Sequence, residues 1–168
     1  MNALSEPVRP PLPEWPANVF HYVPYAVFLR PDVLHHEQLT VFEGPVWNFL
    51  GLEVELPEAG DYKTTHLGLM PVVVTRDADG EIYAFENRCA HRGSLIVLND
   101  SGNAPEHTCV YHAWRYDPQG NLRGVAFEHG VGGKGGMPES FDRSALGPRK
   151  LRVATFCGLI FGSLHDDV

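Results

Sequence analysis

Cys89-Ala90-His91-Arg92-Gly93 and Cys109-Val110-Tyr111-His112-Ala113-Trp114 are the two stretches on which the reading of this chain turns. Seventeen residues separate His91 from Cys109, so the whole is C-x-H-x17-C-x2-H. Each segment brings one thiolate and one imidazole. A [2Fe–2S] cluster with two Cys on one iron and two His on the other takes that donor set. Segments that must each reach both irons are expected as opposed loops clamped over one cluster. The candidate ligands are therefore Cys89, His91, Cys109 and His112, with one cluster per chain, and the chemistry they point to is the movement of single electrons.

Zinc is the competing reading, because a tetrahedral zinc site also accepts two Cys and two His. The spacing counts against it. Zinc fingers pair two Cys close together and two His close together, whereas here each segment carries one of each. The flanks add weight: Arg92-Gly93 follows His91, and Ala113-Trp114 follows His112, so a glycine and a large aromatic stand beside the ligands.

Outward from the ligands the sequence reads as short strands. Trp47 to Leu52, Tyr62 to Leu69 and Val72 to Arg76 are rich in β-branched, aromatic and apolar residues. Asp77-Ala78-Asp79-Gly80 is a hairpin turn signal, and Glu81 to Phe85 returns toward Cys89. Trp114 to Tyr116, a turn at Asp117-Pro118-Gln119-Gly120 and Asn121 to Val125 make a second hairpin. Leu151 to Phe156 and Leu159 to Ser163 close the chain as a β pair around Gly158. One helix is expected over Asp32 to Phe42, started by Pro31-Asp32 and stopped by Gly44-Pro45. Residues 1–18 are Pro-rich and expected as an extended arm. Gly130 to Pro138, glycine-rich but not set between a strand and a helix, reads as a surface loop rather than a phosphate cradle.

At 168 residues the chain is long enough to bury roughly 70% of its unfolded surface as one core. A net charge of −8 argues against a nucleic-acid partner, because phosphate binding needs clustered Lys and Arg. No apolar run approaches the roughly 18 residues of a membrane span, and no secretory leader is seen, so a cytoplasmic protein without a membrane partner is expected. Three Cys is an odd count that suits no disulfide framework. Cys157, inside the apolar run Val153 to Phe161, is expected as a buried inert thiol. The remaining histidines (21, 35, 36, 66, 107, 129 and 165) show no second metal pattern and read as structural or surface residues.

The two ligand segments resemble the Rieske domain of the ring-hydroxylating oxygenases. The similarity extends through Gly44-Pro45-Val46-Trp47-Asn48-Phe49-Leu50-Gly51, Pro71-Val72-Val73-Val74-Thr75-Arg76-Asp77 and Gly132 to Pro138, and is closest in kind to the large (α) subunits of the salicylate, anthranilate and benzoate-type branch. The resemblance implies a mainly β fold, a small antiparallel β-barrel or sandwich with a cluster-binding subdomain of two loops and a short N-terminal helix. It divides the chain into an N-terminal arm and helix over 1–45 and the Rieske domain over 46–168. The family's C-terminal catalytic domain, with a mononuclear Fe(II) on two His and one carboxylate, is not in this sequence, which therefore reads as part of a larger oxygenase subunit. The implied partners are a reductase or ferredoxin as electron donor and a neighbouring oxygenase α subunit, with a β subunit as a further candidate. Electrons would leave through His112. A free-standing Rieske-type ferredoxin is the alternative, disfavoured by the helix region and the Gly-rich loop.

Comparison with the respiratory type of Rieske protein bears on the electronics. That type resembles C-x-H-x-G-C with C-x-C-H-G-S; its extra cysteines form a disulfide and its serine hydrogen-bonds a cluster sulfur. The corresponding positions here are Ser94, Tyr111 and Trp114. Fewer hydrogen bonds to sulfur lower the potential, so a value near the lower end of the Rieske range of about −150 to +300 mV is expected. Neutral imidazoles leave the oxidised cluster uncharged where four thiolates would give −2, which keeps the potential above that of an all-cysteine ferredoxin. Arg88, Arg92 and Arg115 could offset the charge of the reduced state, with ordinary surface arginines as the plainer reading.

Overall fold

The computed structural model describes residues 21–168 together with Pro11, Pro13, Glu14 and Ala17. The arm expected over 1–18 thus falls largely outside the described residues. Two short helices open the fold, α1 (Ala26–Leu29) and α2 (Pro31–Glu37), and α2 runs on into a π-helical turn at Gln38–Phe42. The single helix expected over Asp32 to Phe42 is present. Pro31 stands in its first turn with Asp32, whose carboxylate suits the positive end of the helix.

Ten strands follow, all antiparallel. They are β1 (Asn48–Leu52), β2 (Asp61–Leu67), β3 (Met70–Arg76), β4 (Ile82–Glu86), β5 (Ser101–Asn103), β6 (His107–Thr108), β7 (Arg115–Tyr116), β8 (Leu122–Gly124), β9 (Lys150–Phe156) and β10 (Leu159–Ser163). Seven form one curled sheet in the order β1-β10-β9-β4-β3-β2-β5, and β6-β7-β8 form a small second sheet. β3 is central, and its side chains feed both faces with the two-residue period of a strand. Val73 joins Tyr62, Phe85, Trp114 and Tyr116 in the core beneath the small sheet. Val72 and Val74 join Leu50, Leu67, Leu151 and Ile160 in the core on the other face. That two-sided burial explains why Val72-Val73-Val74 is an unbroken apolar run.

The expected hairpin between β3 and β4 is built by its aspartate. Asp77 Oδ1 accepts the backbone N–H groups of Asp79 and Glu81, each at 3.0 Å, and Gly80 takes a φ of 87°. Its other carboxylate oxygen accepts from Gln119 Nε2 at 2.8 Å, tying this turn to the turn between β7 and β8.

One expectation fails. Cys157 is exposed, not buried, because it occupies the tight turn joining β9 and β10 with a φ of 51° beside Gly158 at 81°. The β pair expected around Gly158 is present, and Cys157 sits at its reversal, where residues 154–158 all face solvent.

The N-terminal helices are locked to the sheet by side chains. Gln38 is buried and bridges three groups: its Nε2 donates to Leu67 O at 3.1 Å and to Glu43 Oε1 at 2.9 Å, while its Oε1 accepts from Leu69 N at 2.7 Å. Glu43 also accepts from Arg149 Nη1 at 2.7 Å, and Arg149 Nε donates to Glu86 Oε2 at 2.8 Å. The Gln38 hydrogen bond, aided by Arg149, holds the Glu43 carboxyl below its ordinary range against the opposing effect of burial. A carboxyl lowered on folding contributes stability above its unfolded-state value of about 4.3 and loses it as pH falls through the folded-state value. Acid unfolding followed by circular dichroism should therefore show a shallower decline in Glu43→Gln than in the parent chain below about pH 4.3, with the parent more stable at neutral pH.

Candidate functional site

The two ligand segments fold as the same local loop. In the first, Cys89 N–H donates to Ser94 O and Gly93 N–H to Cys89 O, both at 2.8 Å. In the second, Cys109 N–H donates to Trp114 O and Ala113 N–H to Cys109 O, both at 2.9 Å. Each loop reverses at its fifth residue, with Gly93 at a φ of 70° and Ala113 at 53°. Glycine takes that conformation freely, whereas alanine pays about 1 kcal/mol for it. The loops project from the ends of β4 and β6, and both thiols sit at their buried bases. Cys89 is 4% exposed and Cys109 2%.

Burial pushes the Cys89 thiol up, and the adjacent Cys109 adds to this, while the Tyr116 hydroxyl opposes it. The Tyr116 oxygen lies 3.2 Å from Cys89 Sγ and accepts the Ala90 N–H at 3.1 Å. With its oxygen engaged by that amide, the phenol proton is free to point at the sulfur. Burial raises the Tyr116 hydroxyl well above its usual value, so it stays a donor. Two apolar-buried thiolates are costly unless their charge is taken up by a metal.

The imidazoles lie above the thiols, side by side. His91 and His112 have ring centroids 4.6 Å apart at 67°. His91 stacks flat on Trp114, at 4.8 Å and 6°, and Tyr111 leans on His112 at 3.9 Å and 35°. Burial, with His112 and Arg92 nearby, lowers the His91 pKa and favours the neutral, ligating form. Its Nδ1 is buried with no hydrogen-bond partner, the condition a metal–nitrogen bond would relieve. Four sequence-predicted residues are thus brought together, and their chemistry fits a mixed thiolate–imidazole centre. Among the described residues no three His, Cys, Asp or Glu side chains gather about one point suited to a single ion. A binuclear cluster does not require that, since each iron takes only two protein ligands.

The arginines have local tasks. Arg88 Nη1 donates to Gly93 O at 3.0 Å and braces the first loop, Arg115 pairs with Glu106 at 3.1 Å, and Arg92 is exposed. Two contributors escaped the sequence reading. Tyr116 is one; its signal was the alternation Trp114–Arg115–Tyr116, buried, exposed, buried. Asn87 is the other. It is 2% exposed, and its Oδ1 accepts the N–H groups of Ile96 and Val97 at 2.9 Å while its Nδ2 donates to Val97 O at 2.8 Å. The buried His107 on β6 packs edge-on against Tyr62 at 5.1 Å, and its Nε2 is likewise buried without a hydrogen-bond partner. Gly130 to Pro138 is a surface loop pinched by a Val131–Lys134 bridge. No helix among the described residues is long and apolar enough to cross a membrane.

Comparison with known proteins agrees with this geometry. The family description of the Rieske [2Fe–2S] domain matches residues 46–132. Terephthalate 1,2-dioxygenase terminal oxygenase component subunit alpha 2 of Comamonas sp. is 56% identical over 155 residues, covering 92% of this chain and 38% of that protein. The large subunit of anthranilate 1,2-dioxygenase from Burkholderia cepacia is 52% identical over 146 residues, covering 87% and 34%. Among solved structures, naphthalene 1,2-dioxygenase from Rhodococcus sp. bound to indole superposes with a TM-score of 0.74 at 34% identity, over 87% of this chain and 32% of that one. The chain spans little more than a third of the length of these relatives.

Asn87 carries the segment after the first loop on three hydrogen bonds. Replacing it with Ala strands buried backbone groups and is expected to cost about 3 kcal/mol, read from denaturant unfolding midpoints.

Proposed function

Because this chain belongs to the Rieske [2Fe–2S] domain family, we propose that Cys89 and Cys109 hold one iron of the cluster and that His91 and His112 hold the other. The observation carrying this is the pair of loops closed by the same two hydrogen bonds, with neighbouring buried thiols at their bases and adjoining imidazoles, one of them with a buried, unpartnered Nδ1. When bound, the cluster supplies one-electron redox chemistry. Residues 46–168 form the cluster domain, preceded by the helix that begins at Pro31.

The chain's own residues divide the work around that centre. The loop hydrogen bonds fix the ligand positions. Trp114 keeps the His91 ring in plane and screens it from water. Tyr116 donates toward Cys89 Sγ and spreads the sulfur's charge, which favours the reduced state. His112, half-buried beneath the exposed ring of Tyr111, offers an imidazole edge near the surface. That edge is the exit for electrons.

The relatives' names support assigning this activity to a larger enzyme. The chain serves as the electron-transfer domain of an aromatic-ring-hydroxylating oxygenase α subunit. It receives single electrons from a reductase or ferredoxin and passes them to a mononuclear iron in a catalytic domain, held by a neighbouring α subunit, in the cytoplasm.

Purified chain should be red-brown, with two irons and two acid-labile sulfides per cluster, and should give a Rieske electron paramagnetic resonance signal once reduced with dithionite. A colourless, zinc-loaded protein would overturn the reading. His112→Ala should abolish the signal; an unchanged spectrum would remove His112 from the ligand set. Titration should place the midpoint in the lower part of the Rieske span, and a value above about +200 mV would contradict that placement. Tyr116→Phe should keep the spectrum and lower the midpoint by about 60 mV, the one-electron equivalent of about 1.4 kcal/mol for a lost hydrogen bond.

A further inference from the structure

Among the described residues the small sheet β6-β7-β8 shares no backbone ladder with the seven-stranded sheet. Its placement on that sheet is therefore set by packing and by side-chain hydrogen bonds. Tyr116 on β7 crosses between the two, with its oxygen 3.2 Å from Cys89 Sγ and 3.1 Å from Ala90 N. Both distances depend on where β7 lies along β4. Each of these strands has a ligand loop at one end and a turn at the other. β4 starts after the Asp77 turn and leads to Cys89, whereas β7 leaves Trp114 and runs into the turn at Asp117 to Gly120. Tyr116 ties the loop ends together, and a second set of bonds ties the turn ends.

Those bonds come from one face of β3 and its extension, where Val73, Thr75 and Asp77 follow the two-residue period of a strand. Val73 packs in the core beneath the small sheet. Thr75 is buried and donates its hydroxyl to Pro118 O at 2.5 Å. Asp77 is buried and accepts from Gln119 Nε2 at 2.8 Å. Asp77 is a fixed anchor, because its other oxygen is held by the Asp79 and Glu81 N–H groups of its own turn. The β7–β8 turn is stiffened in the same way. Asp117 Oδ1 accepts from Asn121 N at 2.8 Å, and Oδ2 accepts from Asn121 Nδ2 at 2.9 Å. Gly120 lies so close to Phe85 that a Cβ there would meet the ring at 2.9 Å. Lys150 Nζ on β9 donates to Asn121 Oδ1 and adds an exposed tie. Two stiff turns joined by two side-chain bonds make a clamp. Among the described residues, neither Thr75 nor Gln119 is hydrogen-bonded to a ligand loop.

We propose that Thr75 and Gln119 are positioning residues for the redox centre: by clamping the β7–β8 turn to the β3–β4 turn, they set the reach of the Tyr116 hydroxyl to Cys89 Sγ and, through it, the midpoint potential. This deepens the cluster reading above and rests on it. The Tyr116 hydroxyl ends a rigid, fully buried ring, so its distance from the sulfur follows the position of β7. A hydrogen bond weakens steeply as its distance and angle depart from the optimum, so a small slide of β7 weakens this one. Hydrogen bonds to a ligating sulfur are among the determinants of potential. Because the clamp acts through Tyr116, its effect on potential depends on the Tyr116 hydroxyl being present, and the two kinds of substitution are not additive.

The test is a double-mutant cycle on the cluster-loaded chain, read by redox titration and by the iron–thiolate bands of its resonance Raman spectrum. Gln119→Leu and Thr75→Val each remove one bond with little change of shape. Both should lower the midpoint in the direction of Tyr116→Phe, by a fraction of that shift. Thr75→Ser keeps the hydroxyl and should keep the parent midpoint. In the Tyr116→Phe background, Gln119→Leu should leave the midpoint and the iron–thiolate bands where Tyr116→Phe alone puts them, while still lowering the denaturant unfolding midpoint. A Gln119→Leu variant that is less stable but has the parent potential would overturn the proposal, since the clamp would then serve folding alone. So would an equal shift of potential with and without the Tyr116 hydroxyl, or loss of the cluster from both Gln119→Leu and Thr75→Val. A potential that Tyr116→Phe does not move would remove the donor and the clamp's role together. That failure is distinct, because it shows before either clamp residue is changed.

Discussion

Two pairs of backbone hydrogen bonds set everything at this site: cysteine N–H to the carbonyl five residues on, and the N–H four residues on back to the cysteine carbonyl. Each pair closes a six-residue loop with a cysteine at its buried base and a histidine on its rim. Because the same closure occurs twice, after β4 of the main sheet and after β6 of the small one, the two thiols come to neighbour each other and the two imidazoles pack together. The small sheet β6-β7-β8 exists to carry the second copy. Its core neighbours Tyr62, Phe85 and Tyr116 anchor it to the main sheet. The loops cannot be repositioned independently, since Tyr116 from the second arm reaches Cys89 and Ala90 in the first.

Most of this architecture could be read from sequence because it is written in local chemistry. Asp77 through Gly80 builds a turn from its own side chain and a positive φ, so the β3–β4 hairpin is visible in four residues. The ligand motif is equally local, and its uneven spacing is explained by the loops. The histidine is the third residue of one and the fourth of the other, while both reverse at the fifth. What escaped depends on contacts distant in sequence. Asn87 looks like any polar residue until Ile96 and Val97 are folded onto it. Strands β5 and β6 are two or three residues long and carry no periodicity to detect; β5 exists because β2 offers it an edge. Cys157 failed for the opposite reason. Its hydrophobic setting was local and real, but a strand reversal needs an exposed residue whatever its neighbours prefer.

The hydrogen-bond inventory around sulfur also reads differently once folded. Sequence comparison counts a lost donor at Trp114 and a lost disulfide at Ser94 and Tyr111, both arguing for a low potential. Tyr116 restores one donor, held in its donating sense by the Ala90 amide that occupies its oxygen. Trp114 is not only a missing hydroxyl. Its ring takes the space of a polar donor and uses it to stack on His91 and to meet Phe141. The exchange trades stabilisation of the reduced state for a packed aromatic path leading away from the centre. The imidazole pair is thus held between aromatic neighbours, Trp114 and Phe141 on the His91 side and Tyr111 on His112.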